Sequence, residues 1–304
     1  MPSVSVIQLS KSYSSIKALD AVCFDVPKGE LFGIIGPDGA GKTTLFRLLT
    51  TLILPDSGSA VIEGLDVVKD YASVRSIIGY MPGKFSLYQD LTVEENLNFF
   101  ATVFNTTVKE NYHLIEDIYK HIEPFKTRRA GKLSGGMKQK LALSCALIHK
   151  PKVLFLDEPT TGVDPVSRKE FWEMLLKLKN QGITIVVSTP YMDEARLCDR
   201  IALMQNGKFL RIDSPDNIIA SYPQRLWSVT ADNMHRLLND LRSCPYLKSS
   251  FSFGASYHVT MVESATAAML DEYLINKGYG NIDITEIKPT VEDCFMLMLK
   301  EDEQ

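Results

Sequence analysis

Residues 31–44 read LFGIIGPDGAGKTT, which is an apolar run, a glycine-rich turn and the start of a helix-forming segment. The turn satisfies the pattern G-x-x-x-x-G-K-[S/T]. Backbone N–H groups of such a loop wrap phosphate oxygens, and side chains at Gly39 and Gly41 would block that approach. The dipole of the following helix also favours an anion at its N-terminus. These residues therefore predict a buried strand, a phosphate-binding loop and a helix, in that order.

Polar side chains of the loop predict that its ligand is ATP with Mg²⁺. Lys42 is expected to reach the β- and γ-phosphates and to act in catalysis, and the Thr43 hydroxyl is expected to ligate the Mg²⁺. The residues predicted to contact ATP are Gly36, Pro37, Asp38, Gly39, Ala40, Gly41, Lys42, Thr43 and Thr44.

A second motif, residues 153–158, reads VLFLDE and is an apolar strand that ends in two carboxylates. In a P-loop enzyme, Asp157 would hold the Mg²⁺ and Glu158 would polarise the attacking water. Adjacent carboxylates at the end of a strand are also compatible with exposed loop charges that have no catalytic role.

In the first two-thirds of the chain, strand and helix signals are separated by glycine and proline, as is typical of a sheet covered by helices. Residues 183–188 form another run that is apolar on both faces, as expected of a covered parallel strand. A helix is predicted over Lys42–Leu52. Thr92-Val93-Glu94-Glu95 has the form of a capping box. Asp164-Pro165 places a capping carboxylate before a proline at the first helical position. An α/β fold is predicted.

The pattern changes after Asp213. Strand and helix signals then follow in the order β-α-β-β-α-β, with strands predicted at 226–230, on both sides of Phe253-Gly254 and at 282–287. Helices are predicted at 233–242 and 265–277, and a final helix at 290–299. The order of the first six elements predicts a small α+β module of the ferredoxin-like type.

Composition narrows the function classes. The chain has 304 residues and a formal net charge of -4, so no general attraction to nucleic acid is expected. The first residues lack the pattern of a signal peptide, and the longest apolar runs are far shorter than the ~20 residues that cross a bilayer. Five scattered cysteines without metal-ligand spacing indicate a reducing compartment. A cytoplasmic protein is expected.

Residues 133–139 read LSGGMKQ. This stretch resembles the LSGGQ signature of ATP-binding cassette (ABC) proteins, and it precedes Asp157 and Glu158 at the spacing which that family shows. The resemblance covers about residues 4–213. It implies a P-loop ABC fold, with a mixed sheet, helices and a helical signature subdomain over roughly 90–150. The ABC domain is expected to span 1–223 and the C-terminal domain 224–304.

The same resemblance implies roles for further residues across a dimer. Tyr13 would stack on adenine, and Asp164 would be the D-loop residue that communicates with the second subunit. The γ-phosphate of ATP held by the opposite subunit would be contacted by Ser134, Gly135 and Gly136. A hydroxyl and bare amides at the start of a helix are physically suited to bind an anion.

The C-terminal residues 288–295 are similar to the extension of drug-export ABC subunits. This resemblance implies ATP hydrolysis that drives a membrane transporter, with ATP and Mg²⁺ as cofactors. The implied partners are a second ABC nucleotide-binding subunit and separate integral membrane permease subunits, and no nucleic acid. The expected location is peripheral, on the inner face of the cell membrane. Residues 85–88, just after the Q-loop position, are expected to dock the permease or to be ordinary core.

Two expected polar residues are missing. Gly83 stands where the family has the Q-loop glutamine, and Pro190 stands where it has the switch histidine. Gln89 lies too far along the chain to replace the first without a loop rearrangement. Pro190 has no polar side chain and no N–H, so it cannot hydrogen-bond a γ-phosphate. Thr189 is expected to cap a helix that begins at Pro190.

These departures leave alternatives open. The chain's own ATP site is predicted to be impaired, so the chain would pair with a non-identical cassette and complete the partner's site with Ser134. A homodimer whose subfamily replaces both residues is equally compatible. A regulatory subunit that senses ATP without useful turnover is a second class of function. A non-transport ABC protein acting on ribosomes or DNA is disfavoured, because the chain has one cassette, no coiled-coil insert and a negative net charge.

Overall fold

A computed structural model describes residues 1–302 of the chain. They form two compact units, of which the first spans Met1–Pro215 and the second begins at Asp216. The sequence suggests a boundary at residue 223 instead. Residues 216–222 lie in the second unit, where the fully buried Ile218 accepts a hydrogen bond through its carbonyl from Cys294 Sγ at 3.4 Å.

The first unit contains two sheets. Its strands are β1 (Val4–Tyr13), β2 (Ile16–Val26), β3 (Leu31–Ile35), β4 (Ser57–Ile62), β5 (Leu65–Asp66), β6 (Ile78–Met81), β7 (Val153–Asp157), β8 (Thr184–Thr189), β9 (Arg200–Gln205) and β10 (Lys208–Asp213). One sheet is antiparallel, in the order β2-β1-β4-β5. The other has the order β10-β9-β3-β8-β7-β6 and is parallel except for the β9–β10 pair.

Helices cover these sheets. They are α1 (Lys42–Leu49), α2 (Tyr71–Ile77), α3 (Val93–Val103), α4 (Val108–Tyr119), α5 (Gly135–Leu147) and α6 (Pro165–Asn180), with short 3-10 helices at Glu123–Phe125, Ala130–Lys132 and Met192–Leu197. Every residue of β3, β7 and β8 is buried. Phe46 of α1 meets Phe155 of β7 edge to face, with ring centroids 6.0 Å apart. The predicted α/β fold with a mixed sheet is confirmed.

Local sequence signals predicted two helix starts correctly. The capping box at Thr92 and Glu95 is formed in both directions, and the Asp164 carboxylate caps α6 by accepting from Ser167 N–H at 2.9 Å. Helix α1 ends at Leu49, not at Leu52 as predicted. Thr51 adopts a left-handed φ of 63°, which turns the chain so that Leu52 N–H reaches back to the Arg47 carbonyl at 2.8 Å.

The second unit is built around a four-stranded antiparallel sheet. Its elements are α7 (Pro215–Ala220), β11 (Leu226–Thr230), α8 (Met234–Arg242), β12 (Leu247–Phe253), β13 (Ser256–Met261), α9 (Ala267–Asn276), β14 (Asp283–Ile287) and α10 (Val291–Asp302). The strand order is β12-β13-β11-β14. With the β-α-β-β-α-β chain order, this arrangement confirms the predicted ferredoxin-like topology. Within residues 1–302, no helix is both long enough and apolar enough to cross a bilayer.

Candidate active site

The glycine-rich loop joins β3 to α1 and is shaped by its glycines. Gly39 and Gly41 have φ values of 81° and 112°, in the left-handed region that side chains disfavour. A Cβ on Gly41 would lie 2.4 Å from the Ala18 carbonyl oxygen, and one on Gly36 would lie 2.3 Å from the Met204 carbonyl oxygen. The loop therefore requires glycine at these positions because of its own packing, as well as for the approach of phosphate.

Lys42 folds back over this loop. Its side chain is only 2 % exposed, and its Nζ donates to the carbonyls of Gly36 at 2.7 Å and Pro37 at 2.8 Å. The same ammonium lies 3.1 Å from Glu158 Oε1. The lysine thus joins the phosphate loop to the residue after β7, although Lys42 and Glu158 are 158 − 42 = 116 positions apart in the sequence.

Asp157 is buried at the end of β7. Its Oδ1 accepts a hydrogen bond from Ser188 Oγ at 2.7 Å, and the Thr43 hydroxyl is near enough to its carboxyl group to affect the pKa. Burial raises the pKa of Asp157 above its ordinary value, and the hydroxyls of Ser188 and Thr43 oppose that rise. The Asp157 carboxylate and the Thr43 hydroxyl together supply hard oxygen donors of the kind that Mg²⁺ prefers, so the residues present fit that ion.

Glu158 is held at the neighbouring strand end. Its backbone N–H donates to Ser188 Oγ at 3.0 Å, and its φ of 49° turns the chain away from β7. Its carboxylate remains partly exposed beside Lys42. Sequence reasoning missed Ser188, which touches both acidic residues. The available signal was a serine hydroxyl near the carboxyl end of a largely apolar strand.

The structure places Gly83, one of the two departures from the family sequence, beside Asp157 of the acidic pair. A Cβ on Gly83 would lie 3.1 Å from the Asp157 carbonyl oxygen, so residue 83 packs directly against the end of β7. Gln89 lies elsewhere, because its carbonyl accepts from Gly131 N–H at 2.9 Å. Pro190 directly follows β8.

The predicted role of Thr189 as a helix cap is wrong. The following 3-10 helix begins at Met192, after Tyr191, and has no side-chain cap. Thr189 Oγ1 accepts instead from Tyr191 N–H at 3.0 Å and donates to the buried carboxylate of Glu194. The rigid ring of Pro190 lies inside this tight turn, which leaves the helix start two residues later than predicted.

The signature residues form a second group. Ser134 is the N-cap of α5, and its hydroxyl accepts from Met137 N–H at 3.4 Å. A Cβ on Gly136 would lie 2.6 Å from Ser167 Oγ, so the start of α5 packs tightly on the first turn of α6, next to Asp164. Among residues 1–302, no hydrogen bond is described between Ser134–Gly136 and the Gly36–Thr44 loop. The signature residues thus form a group held by the start of α5 and the first turn of α6.

Tyr13 ends β1 and pairs with Ile16 across the hairpin to β2. The residue is 43 % exposed. Further along β2, the Ala18 carbonyl lies against Gly41, and Asp20 N–H donates to Gly207, whose own N–H donates to Ala40. These contacts fix the hairpin beside the phosphate loop, with an exposed aromatic ring at its tip. Asp38 and Gly39 are also exposed, whereas Ala40 is buried.

An apolar groove of about 360 Å³ is lined by residues of the first unit. Its walls include Leu52, Tyr80, Leu87, Phe100, Phe104 and Ala142. Beside it, the exposed Tyr88 meets Phe99 edge to face at 4.8 Å. Within residues 85–88, Leu87 is a buried side chain that lines the groove, and Tyr88 is an exposed aromatic residue beside it.

Comparisons with known proteins agree with this geometry. Residues 19–161 match the protein-family model described as ABC transporter. A probable multidrug ABC transporter ATP-binding protein of Escherichia coli strain K12 is 40 % identical over 275 residues, which are 89 % of this chain and 47 % of that protein. This chain therefore spans about half the length of that relative. The Nod factor export ATP-binding protein I of Rhizobium sp. strain N33 is 32 % identical over 297 residues, which cover 96 % and 95 % of the two chains.

Solved structures give the same result. The first unit resembles the cbiO1 protein of Clostridium perfringens, described as part of the ABC transporter complex cbiONQ, with a TM-score of 0.65 and 28 % identity over 72 % of this chain and 91 % of that one. It also resembles an ATP-binding cassette solved as a dimer in a post-hydrolysis state with ADP and phosphate. That match has a TM-score of 0.63 and 27 % identity, and covers 69 % of this chain and 98 % of the other.

Proposed function

This chain belongs to the ABC transporter family as an ATP-binding subunit, and from that premise we propose that it hydrolyses ATP to drive an exporter. The observation that carries the proposal is the cluster at the carboxyl ends of β3, β7 and β8. There, Lys42 contacts Glu158, and Ser188 joins Asp157 to the backbone of Glu158.

Each side chain of the cluster has a task in phosphoryl transfer. Lys42 would release the carbonyls of its loop and place its charge on the β- and γ-phosphates. Thr43 and Asp157 would hold Mg²⁺, which when bound neutralises phosphate charge. Glu158 would orient the attacking water and accept its proton. Tyr13 would stack on adenine, and the N–H groups around Gly39 and Gly41 would wrap the phosphates.

Two departures from the family sequence support a lowered rate of ATP hydrolysis at this site. Gly83 and Pro190 supply no side-chain hydrogen bond next to Asp157 and Ser188. Since phosphoryl transfer depends on positioning and electrostatic stabilisation, the loss of two polar contacts slows it. We propose that the chain pairs with a second, non-identical cassette, and that Ser134 with Gly135 and Gly136 completes that partner's site while Asp164 contacts it.

The partner in the membrane is a permease. The apolar groove at Leu52, Leu87 and Phe100, with the exposed Tyr88 beside it, fits an amphipathic helix on the inner face of an integral membrane protein. The chain would then be peripheral to the membrane. The proposed domains are an ABC domain over residues 1–223 and an accessory domain over 224–304, whereas the second compact unit already begins at Asp216.

Glu158→Gln tests the catalytic proposal. The variant keeps the size of the side chain and removes the base, so ATP turnover should fall at least about 100-fold while ATP binding is retained. Steady-state hydrolysis and calorimetric titration of the full chain measure the two quantities. Unchanged turnover in this variant would refute catalysis by Glu158 and favour the regulatory function, in which ATP is sensed without useful hydrolysis.

The double substitution Gly83→Gln and Pro190→His tests the impaired site. It restores both polar side chains, so turnover of the purified chain should rise about 10-fold or more. The matched control is Ser134→Ala. It should leave the chain's own ATP affinity unchanged and lower turnover only at an ATP site of another subunit that this chain completes. Wild-type turnover of tens per second by the chain alone would contradict the impaired site.

A further inference from the structure

One buried carboxylate joins two loops beside the acidic pair. Glu194 is 2 % exposed on the 3-10 helix that follows β8. Its Oε1 accepts a hydrogen bond from Thr160 Oγ1 at 2.8 Å, and its Oε2 accepts one from Thr189 Oγ1 at 2.5 Å. Both threonines are buried as well. Because a buried carboxylate without partners is costly, these hydrogen bonds hold the three side chains in one arrangement.

The same carboxylate also faces the helix that follows the D-loop. Arg168 of α6 places its Nε 3.7 Å from Glu194 Oε1, which is an ion-pair distance and too long for a hydrogen bond. The guanidinium stacks on the ring of Tyr191, 4.1 Å from the centroid, and lies 3.9 Å from Asp193. The positive charge facing Glu194 thus comes from α6, and the two hydroxyls come from the loop after β7 and from the last residue of β8.

The positions of the two threonines connect this cluster to catalysis. Thr160 is two residues beyond Glu158 and begins the D-loop turn, in which Thr161 N–H donates to the Glu158 carbonyl at 3.2 Å. Thr189 directly follows Ser188, whose hydroxyl contacts Asp157 and the Glu158 backbone. The Glu194 side chain therefore links the loop that follows β7 to the carboxyl end of β8.

We propose that Glu194 is a positioning residue that clamps the loop of Glu158 to the end of β8 through Thr160 and Thr189. It touches no group proposed to contact ATP. It sets where the Glu158 carboxylate and the D-loop lie, next to a turn in which Pro190 can form no side-chain hydrogen bond. The inference rests on the proposed role of Glu158 and adds a residue that the sequence motifs do not include.

Isosteric substitutions separate positioning from general stability. Thr160→Val and Thr189→Val each remove one hydroxyl and keep the volume. Thr184→Val is the matched control, since Thr184 is a buried threonine of the same strand β8 whose hydroxyl accepts from Gly29 N–H at the opposite strand end. Glu194→Gln keeps the shape and can bond both hydroxyls as donor and acceptor, so it serves as the conservative variant.

The first readout is the split between rate and binding. In the full chain, Thr160→Val and Thr189→Val should lower kcat about 10- to 100-fold, because small displacements of a catalytic group have effects of that size. ATP affinity should stay within about twofold. Glu194→Gln should retain most of the rate, and Glu194→Ala combined with Thr160→Val should cost no more than Glu194→Ala alone, because both break one contact.

The second readout does not depend on turnover. Hydrogen exchange over residues 158–164 should become faster in Thr160→Val and Glu194→Ala and stay unchanged in Thr184→Val. Equal hydrogen exchange in all variants, or a parallel loss of kcat and ATP affinity, would overturn the proposal that Glu194 positions the loop of Glu158. If Glu158→Gln leaves turnover unchanged, the proposed catalysis fails on its own, and the exchange of residues 158–164 still decides whether Glu194 holds that loop.

Discussion

Replacing Gly136 with alanine should force apart the signature helix and the helix that follows the D-loop. The added Cβ would lie 2.6 Å from Ser167 Oγ and 2.8 Å from Ser167 Cβ. Ordinary carbon contacts are about 3.5–4.0 Å, so the overlap approaches 1 Å. Rotating the serine moves only its hydroxyl, because Cβ is fixed to the backbone of α6. The strain must therefore be relieved by a shift between α5 and α6.

The size of the effect follows from a neighbouring control. A Cβ on Gly135 would meet only the Gly162 carbonyl oxygen at 3.6 Å, which is an ordinary contact. Both alanines gain similar helix propensity, so the difference between them isolates the overlap. Overpacking of this kind costs about 1–3 kcal/mol. In a unit of this size, each kcal/mol corresponds to about 2–4 °C in Tm, so Gly136→Ala should unfold roughly 2–12 °C below Gly135→Ala.

Calorimetry of the nucleotide-free full chain measures this difference in the transition of the first unit. Ser167→Gly removes both atoms that the new methyl would strike, at a cost of about 1 kcal/mol for glycine in a helix. The double variant Gly136→Ala with Ser167→Gly should therefore be more stable than Gly136→Ala alone. Equal Tm values for the two alanine variants would refute this account of the α5–α6 contact.

Three further predictions concern the ATP site and the groove. Lys42→Ala should weaken ATP binding about 10- to 100-fold in calorimetric titration, since a hydrogen bond to a charged group contributes about 1.5–3 kcal/mol; unchanged affinity would contradict the role of Lys42. Burial raises the pKa of Asp157 in the folded chain, so folding favours its protonated form, and that contribution is lost as pH rises through the folded pKa. Asp157→Asn should therefore raise the nucleotide-free Tm at pH 7 and lose this advantage towards pH 4, and an advantage that grows as pH falls would show the sign to be wrong. Phe100→Asp should abolish co-purification with the permease while ATP affinity stays as in the wild type, whereas loss of both would indicate misfolding.

Much of the chain could be read from local chemistry. Residues 31–44 predicted strand, loop and helix together, because the glycine-rich pattern is local and the positive φ of Gly39 and Gly41 favours glycine. The caps at Thr92 and Asp164 are decided within four residues, and the structure has both. The order of strands and helices after residue 224 was also legible, because apolar period is a property of each segment alone.

Tertiary structure decided the contacts between segments that are distant in the sequence. The meeting of Lys42 with Glu158, the place of Ser188 between the two acidic residues, and the burial of Glu194 between Thr160 and Thr189 depend on how β7 and β8 lie side by side. No local pattern encodes which polar side chains share a buried site. Their grouping is decided when the strands pack together and each buried polar atom must find a hydrogen-bond partner. The phosphate loop was therefore determined by its own residues, and its catalytic surroundings were determined by the fold.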